Sequence, residues 1–308
     1  MSILESARSI VESTRKTKRG FRQDRYAPYF FISPFYILFA IFFLFPTLFA
    51  LVLSFYRWGA LDTPQFFGLK NYDHLFKDPV FWTSVSNTVF YASCSLFIIV
   101  PLALLEALAL NSKLLKFRVL WRVVYFAPIV TSTVAISLVF RMLYNKDFGT
   151  FNGIIMALGG TPVDWLGDFR AAKLAVLGVV IWRWTGLLAV YFLAGLQSIP
   201  EELHEAAAID GATVLDRFFH ITLPLLRPVM LFVSVIVLIG SMQIFDDPQV
   251  LTAGGPSNAS LSLVQYLYTQ GITNLSFGFA SAVGLFLFVM IFILSLIQFR
   301  VFRGFETD

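Results

Sequence analysis

Charged residues are scarce in this sequence. Asp, Glu, Lys and Arg make up 14% of its 308 residues, against about 25% in ordinary soluble domains. So few charges cannot keep a folded surface wet, which excludes a water-soluble globule. Cysteine is almost missing: Cys94 stands alone in an apolar run and excludes an intramolecular disulfide. The three histidines, His74, His204 and His220, form no Cys/His cluster, so no metal site is expected. No Gly-x4-Gly-Lys-Ser/Thr phosphate loop occurs, and no nucleophile–base pair or acidic pair stands out. The chain is therefore expected not to be an enzyme.

Apolar residues, by contrast, are abundant. They make up 57% of the chain, and 35 Phe, 11 Tyr and 6 Trp exclude disorder. The net charge of +4 would hint at nucleic acid in a soluble protein. Here the basic residues sit where membrane topology would put them, and no nucleic-acid partner is expected.

Residues 1–28 are polar and hold seven basic side chains (Arg8, Arg15, Lys16, Lys18, Arg19, Arg22, Arg25) against three acids (Glu5, Glu12, Asp24). Tyr29 to Phe55 then run without a charge, beyond the roughly 20 residues that cross a bilayer and too long for a signal-peptide core. Residues 29–55 read as a retained first transmembrane helix. Five more spans are expected near 87–110, 121–143, 173–196, 226–246 and 279–301. The fold class is an all-α membrane protein with six transmembrane helices. The connections at 56–86, 144–172 and 247–278 carry the Pro, Gly, Asn and Asp of turns and short surface helices.

Lys and Arg set the orientation. With the N-terminus inside, the cytoplasmic segments carry 15 of them, against 7 in or flanking the outer connections. That bias places both termini in the cytoplasm. The 197–227 loop is in tension with it, holding five acids and two bases.

In that loop, Ser198 and Glu201 have capping-box spacing and Pro200 suits a first turn, so a short helix is expected from about Ile199. Gly211 is placed to end it in the left-handed conformation. A second short helix is expected from about Ala212 to His220, ahead of Pro224. Ala206 and Ala207 have almost no side chain and let a helix sit deep in a partner's groove, where Glu205 supplies a directed charge. The plain alternative is an interfacial helix on the inner leaflet. Such helices carry Lys and Arg for anionic lipids, whereas this one carries Glu201, Glu202, Glu205 and Asp210.

Glu205-Ala206-Ala207, three residues, Gly211, nine residues, then Ile221-x-Leu223-Pro224 resembles the full EAA-loop signature of permease subunits in bacterial ABC importers. Phe66-Gly-Leu-Lys-Asn-Tyr72, Phe81-Trp82, Asn87-Thr88, Trp165-Leu-Gly-Asp168, Ala194-Gly-Leu-Gln-Ser-Ile-Pro200, Phe245-Asp246 and Leu251-Thr-x-Gly-Gly-Pro256 are similar to the carbohydrate branch. The resemblance spans nearly everything from about residue 29. It implies the type I importer permease fold of the maltose type, with a core of five helices over 85–302, a cytoplasmic coupling loop at 198–224 and a cytoplasmic tail at 303–308. It further implies a bacterial inner-membrane location, a dimer of ABC ATPase subunits, a second permease that is a different chain, and an extracytoplasmic solute-binding protein. ATP and Mg would be held by the ATPase, with no cofactor on this chain. The resemblance assigns ATPase coupling to Glu205, Ala206, Ala207, Asp210, Gly211, Ile221, Leu223 and Pro224, and the cargo would be a sugar or oligosaccharide.

Arg183 lies near mid-depth of the fourth span, where a charge costs roughly 2.5–3.5 kcal/mol on insertion scales. It is either a donor to substrate or gate ion pair, or a structural pair; Glu106 is a candidate partner but lies at a distant depth, so snorkelling or a local partner is expected for it instead. Trp184, Leu187 and Tyr191 share a helical face that suits a sugar ring or plain packing. Gly240, Ser241, Gln243 and Asp246 form a polar cluster in the fifth span, and Asp246 and Asp247 could alternatively meet the binding protein. The rival readings are a same-class permease for glycerol phosphate or another polar solute, and an ion-coupled secondary transporter. The latter should show an inverted repeat, and none is visible.

Overall fold

The computed structural model describes residues 26–59, 63–112 and 115–304. The basic tail expected at 1–28 and the 303–308 tail lie largely outside the described residues. Contacts divide the chain into two units, meeting in sequence at Leu53 and Ser54. The first holds one apolar helix, α1 (Pro28–Leu53), whose side chains are exposed along nearly its whole length. Phe35, Phe39 and Phe43 stack at i, i+4 spacing along one face. A helix that is apolar all round and has no core of its own to enter belongs in lipid.

The second unit begins with an antiparallel ribbon of β1 (Tyr56–Arg57) and β2 (Gln65–Phe66), with Tyr56 opposite Phe66. It continues through α2 (Lys70–Lys77), α3 (Pro79–Asn111), α4 (Arg118–Val130), α5 (Thr133–Leu143), α6 (Thr150–Ala157) and α7 (Ala171–Gln197). Then come α8 (Glu201–Ile209), α9 (Val214–Leu225), α10 (Arg227–Met242), α11 (Asp246–Thr252), α12 (Leu263–Tyr268) and α13 (Phe277–Gly304). Helices α1, α3, α7 and α13 are each long and apolar enough to cross a membrane unbroken. The pairs α4–α5 and α9–α10 are bent by 100° and 66°, and counting each pair as one span gives six.

The core runs along α7, which packs on the second half of α3 and on α4, while α10 packs between α3 and α13. Ala103 and Ala107 of α3, both fully buried, let the backbones approach, as small residues do between helices in lipid. Gly186 of α7 is the tightest point: a Cβ there would stand 1.9 Å from the Tyr125 carbonyl oxygen of α4. Asn152 of α6 pins the loop before α7. Its amide donates to the Lys146 and Val163 carbonyls, and its oxygen accepts from Val163 N–H and Trp165 Nε1. Asp168 then caps the start of α7, accepting from the Arg170 and Ala171 N–H groups, and these donors hold its carboxyl below the usual carboxylate range.

Proline shapes three of the helices, α1, α3 and α9, in one way. Each carries a π turn, over Ala40–Leu44, Ser95–Ile99 and Phe218–Thr222, and a proline follows two residues later at Pro46, Pro101 and Pro224. Proline has no N–H for the carbonyl four residues back, so the ladder loosens just ahead of it instead of breaking.

Three expected spans need correction. The third, 121–143, is not one rod: Thr131 and Ser132 are extended between α4 and α5. The Thr131 hydroxyl donates back to the Ala127 carbonyl, the kind of side-chain competition that ends a helix in a polar Thr-Ser-Thr stretch. The fifth, 226–246, stops at Met242, and the chain leaves helical geometry at Gln243–Phe245 before restarting as α11. The second span also begins earlier than expected, because Asp78 caps α3 by accepting from Val80 N–H with Pro79 in the first turn.

Candidate functional site

Two places carry the residues singled out by sequence: the connection between α7 and α10, and a cavity beside α7. The connection comes first. Ser198 does not form the expected capping box. As the residue closing α7, it donates its hydroxyl to the Gly195 carbonyl at 2.7 Å, and Pro200 takes the N-cap of α8. Glu201 and Glu202 fall in the first turn, where acids complement the free N–H groups. Gly211, at φ +84°, ends α8: its N–H reaches the Ala208 carbonyl and the Ala212 N–H reaches that of Ala207 at 2.9 Å.

The capping box that forms is one helix later. Thr213 caps α9, its hydroxyl accepting from Asp216 N–H, while Asp216 accepts from Thr213 N–H. The Thr213 hydroxyl also donates to the Asp216 carboxylate, and these bonds hold that carboxyl below its usual range. Arg217 ties the two short helices together through a long contact to the His204 carbonyl, 3.5 Å.

The outcome is a protruding knob with no buried residue in α8. Glu205, Ala206 and Asp210 are exposed and Ala207 is half-buried. Around them Ile209, Val214 and Leu215 are 87%, 72% and 67% exposed. Apolar side chains gathered at this exposure mark a surface for a partner. Ile221, Leu223 and Pro224 sit apart from it. They are half-buried at the π turn where α9 meets α10. The motif therefore splits into an exposed part, Glu205 to Gly211, and a joint, Ile221 to Pro224.

The cavity has a volume of about 250 Å³. Arg183, Trp184, Gly240, Ser241, Gln243 and Asp246 line it, so the structure gathers six of the eight expected pathway residues. Leu187 and Tyr191 are not among its walls; the Tyr191 ring lies edge-on to Phe232 at 5.4 Å, which is helix packing. Arg183 is 8% exposed, sits 5.4 Å from the Trp184 ring centre, and places Nη1 3.4 Å from Asp247 Oδ1. Asp247 is thus its partner. Glu106 lies in a separate hollow with Leu102, Trp121 and Tyr125. Nor does Asp247 face outward for a binding protein, since it is 2% exposed in the first turn of α11 and lines the cavity, with Ser137 Oγ 3.5 Å away. The Arg183–Asp247 contact is close but misaligned, leaving Arg183 Nε and Nη1 without a hydrogen-bond acceptor among the described residues.

A buried, paired cation thus faces a polar cavity, and an exposed helical knob lies on the connection that follows α7. The model of the binding-protein-dependent transport system inner membrane component family matches residues 99–307, which include both the knob and the cavity. The chain belongs to this family. It is 38% identical over 290 residues to the arabinooligosaccharides transport system permease protein AraP of Bacillus subtilis (strain 168), covering 94% of this chain and 92% of that protein. It is 37% identical over 278 residues to the lactose transport system permease protein LacF of Rhizobium radiobacter, covering 89% and 93%. A bacterial ABC transporter importing the acidic polysaccharide alginate shares the fold, with a TM-score of 0.81 at 24% identity over 94% of this chain and 99% of that one.

Family membership makes this chain a membrane component of an ABC importer, and α1 lies outside the matched segment. Sequence reasoning missed Asp247 as a partner of Arg183, and Thr213, Asp216 and Arg217 as the frame of the knob. The Thr-x-x-Asp spacing at 213–216 was a visible cue. Nothing local pairs Arg183 with Asp247.

Proposed function

We propose that this chain is the non-catalytic, membrane-spanning subunit of an ATP-driven importer for sugars or oligosaccharides in the bacterial inner membrane. The observation that carries the reading is the α8–α9 knob, whose exposed Glu205–Gly211 segment and bare Ile209, Val214 and Leu215 side chains call for a cover that the described residues do not supply. An ABC ATPase dimer, which binds the ATP and Mg, is that cover, and Lys/Arg placement puts the knob and both termini in the cytoplasm. Closure of the ATPase pulls on α8, and the joint at Ile221, Leu223 and Pro224 passes the movement to α10, which lines the cavity. Transport requires that the knob's contacts differ between the inward- and outward-facing states.

The sugar assignment rests on the names of the relatives and on a cavity that pairs an indole, Trp184, with hydrogen-bonding groups. A second permease of different sequence completes the pathway, and an extracytoplasmic binding protein delivers the cargo. The test is uptake of radiolabelled arabino- and malto-oligosaccharides by vesicles containing this chain and its co-expressed subunits. ATP-dependent accumulation of at least one oligosaccharide is expected, and none without the ATPase. Accumulation driven by an ion gradient with the ATPase absent would overturn the proposal.

A further inference from the structure

The cavity beside α7 holds its charges in an arrangement that bears on the kind of solute it accepts. Among the described residues that line it, Arg183 is the one cation, and Asp246 and Asp247 are the two anions. Arg183 is already paired with Asp247, 3.4 Å away and more deeply buried. Asp246 is exposed at the same wall and has no cation facing it there. A uronate, sulfonate or phosphate entering beside this wall finds the wall's one cation already paired and meets a carboxylate left over. Like charges brought together in a site exclude the wrong partner strongly.

The hydrogen-bonding inventory points the same way. A guanidinium only donates and a carboxylate only accepts. Arg183 keeps Nε and Nη1 free of hydrogen bonds, although Nη1 lies within ion-pair range of Asp247. Ser241 and Gln243 on the same wall can do both. A hydroxyl group accepts from the guanidinium with one hand and donates to a carboxylate with the other, so one hydroxyl or a neighbouring pair can bridge the misaligned ion pair. An anionic group can accept from the free Nε, but it has no proton to donate to either carboxylate and stands beside Asp246 and Asp247 as a third negative charge.

We infer that Asp247, by holding Arg183, and Asp246, by leaving the cavity one carboxylate in excess, make this chain select uncharged polyhydroxylated solutes and reject acidic saccharides and sugar phosphates. The inference rests on the proposal that the cavity lies on the solute pathway, and it goes beyond it, because that proposal admits a sugar of either charge. Asp246 and Asp247 act here as specificity determinants, one exposed at the cavity wall and one buried against the cation.

The test uses the complete importer, this chain with its co-purifying subunits, in nanodiscs. The indole of Trp184 stands against Arg183 and reports occupancy by its fluorescence, with Trp184→Phe identifying that signal. Arabinotriose, maltotriose and trigalacturonate are titrated separately. Wild type should give a saturable response to at least one neutral trisaccharide and bind trigalacturonate at least about tenfold more weakly. Asp246→Asn and Asp247→Asn should each narrow that gap by about tenfold. Asp246 is exposed, so its variant remains informative if Asp247→Asn does not fold. Trigalacturonate binding as tightly as the better neutral sugar in wild type, or a gap unchanged in the folded variants, overturns the charge-selection inference while leaving the pathway reading standing. No Trp184 response to any of the three sugars would overturn the pathway reading, and this inference with it.

Discussion

Glu205→Lys is expected to leave the chain inserted and folded and to stop ATP-driven uptake. Glu205 is exposed on α8, a helix with no buried residue, so the chain itself loses nothing when the charge is reversed. Any large effect must come from a partner. Disrupting one member of a desolvated charged contact costs about 2–5 kcal/mol, a factor of roughly 30 to several thousand in binding. Asp147→Lys, at an exposed acid on the connection between α5 and α6, is the matched control and should transport normally.

Gly211 sharpens the same expectation. Its φ of +84° strains any side chain by about 1–2 kcal/mol, and that cost hardly depends on size. No atom lies within 4 Å of a Cβ built there. Gly211→Ala and Gly211→Leu should therefore be equally stable in the isolated chain. If the ATPase grips this turn, Leu should uncouple hydrolysis from uptake far more than Ala. Vesicle uptake and ATPase rate, read side by side, check both substitutions, and equal transport by the two would contradict a tight fit at the turn.

The second large effect is expected at the opposite extreme of packing. Gly186→Ala should prevent normal folding, because its methyl group would fall 1.9 Å from the Tyr125 carbonyl oxygen. That neighbour is helix backbone and cannot rotate aside, so α4 must move away from α7. Overpacking in a well-filled core costs about 1–3 kcal/mol and more when backbone must shift, and here the upper end applies. Gly240→Ala is the contrast. It has open space for a methyl group, and replacing a glycine in the last turn of a helix gains at most about 1 kcal/mol in helix propensity. Thermal unfolding in detergent should show Gly186→Ala strongly lowered or not recoverable as a monodisperse species, and Gly240→Ala at or above wild type. A Gly186→Ala protein as stable as wild type would contradict the close approach of α4 and α7.

These cases show where sequence sufficed. Long uncharged runs announce spans because a bilayer demands them, and the count of six survives when each bent pair is taken as one. The turn that closes α8 was legible too, since glycine at 211 is required by a positive φ. The breaks were harder. A helix that is apolar all round has no period to interrupt, so the extended Thr131–Ser132 corner was hidden in a run that still looked continuous. The π turns before Pro46, Pro101 and Pro224 had a local cue, the missing N–H, that spacing arguments do not use. The pairing of Arg183 with Asp247 had none. It is created when the chain leaves helical geometry after Met242 and turns Asp247 beneath α7.

The central claim, that a cytosolic ATPase grips the α8–α9 knob, is tested most directly by a single cysteine at the exposed position of Ala208, in a Cys94→Ser background, probed with a membrane-impermeant thiol reagent. The account predicts no labelling from outside intact cells, labelling in inverted vesicles stripped of the ATPase, and protection when the ATPase is restored, with the degree of protection changing on ATP binding. Labelling from outside, or a rate indifferent to the ATPase, would contradict it.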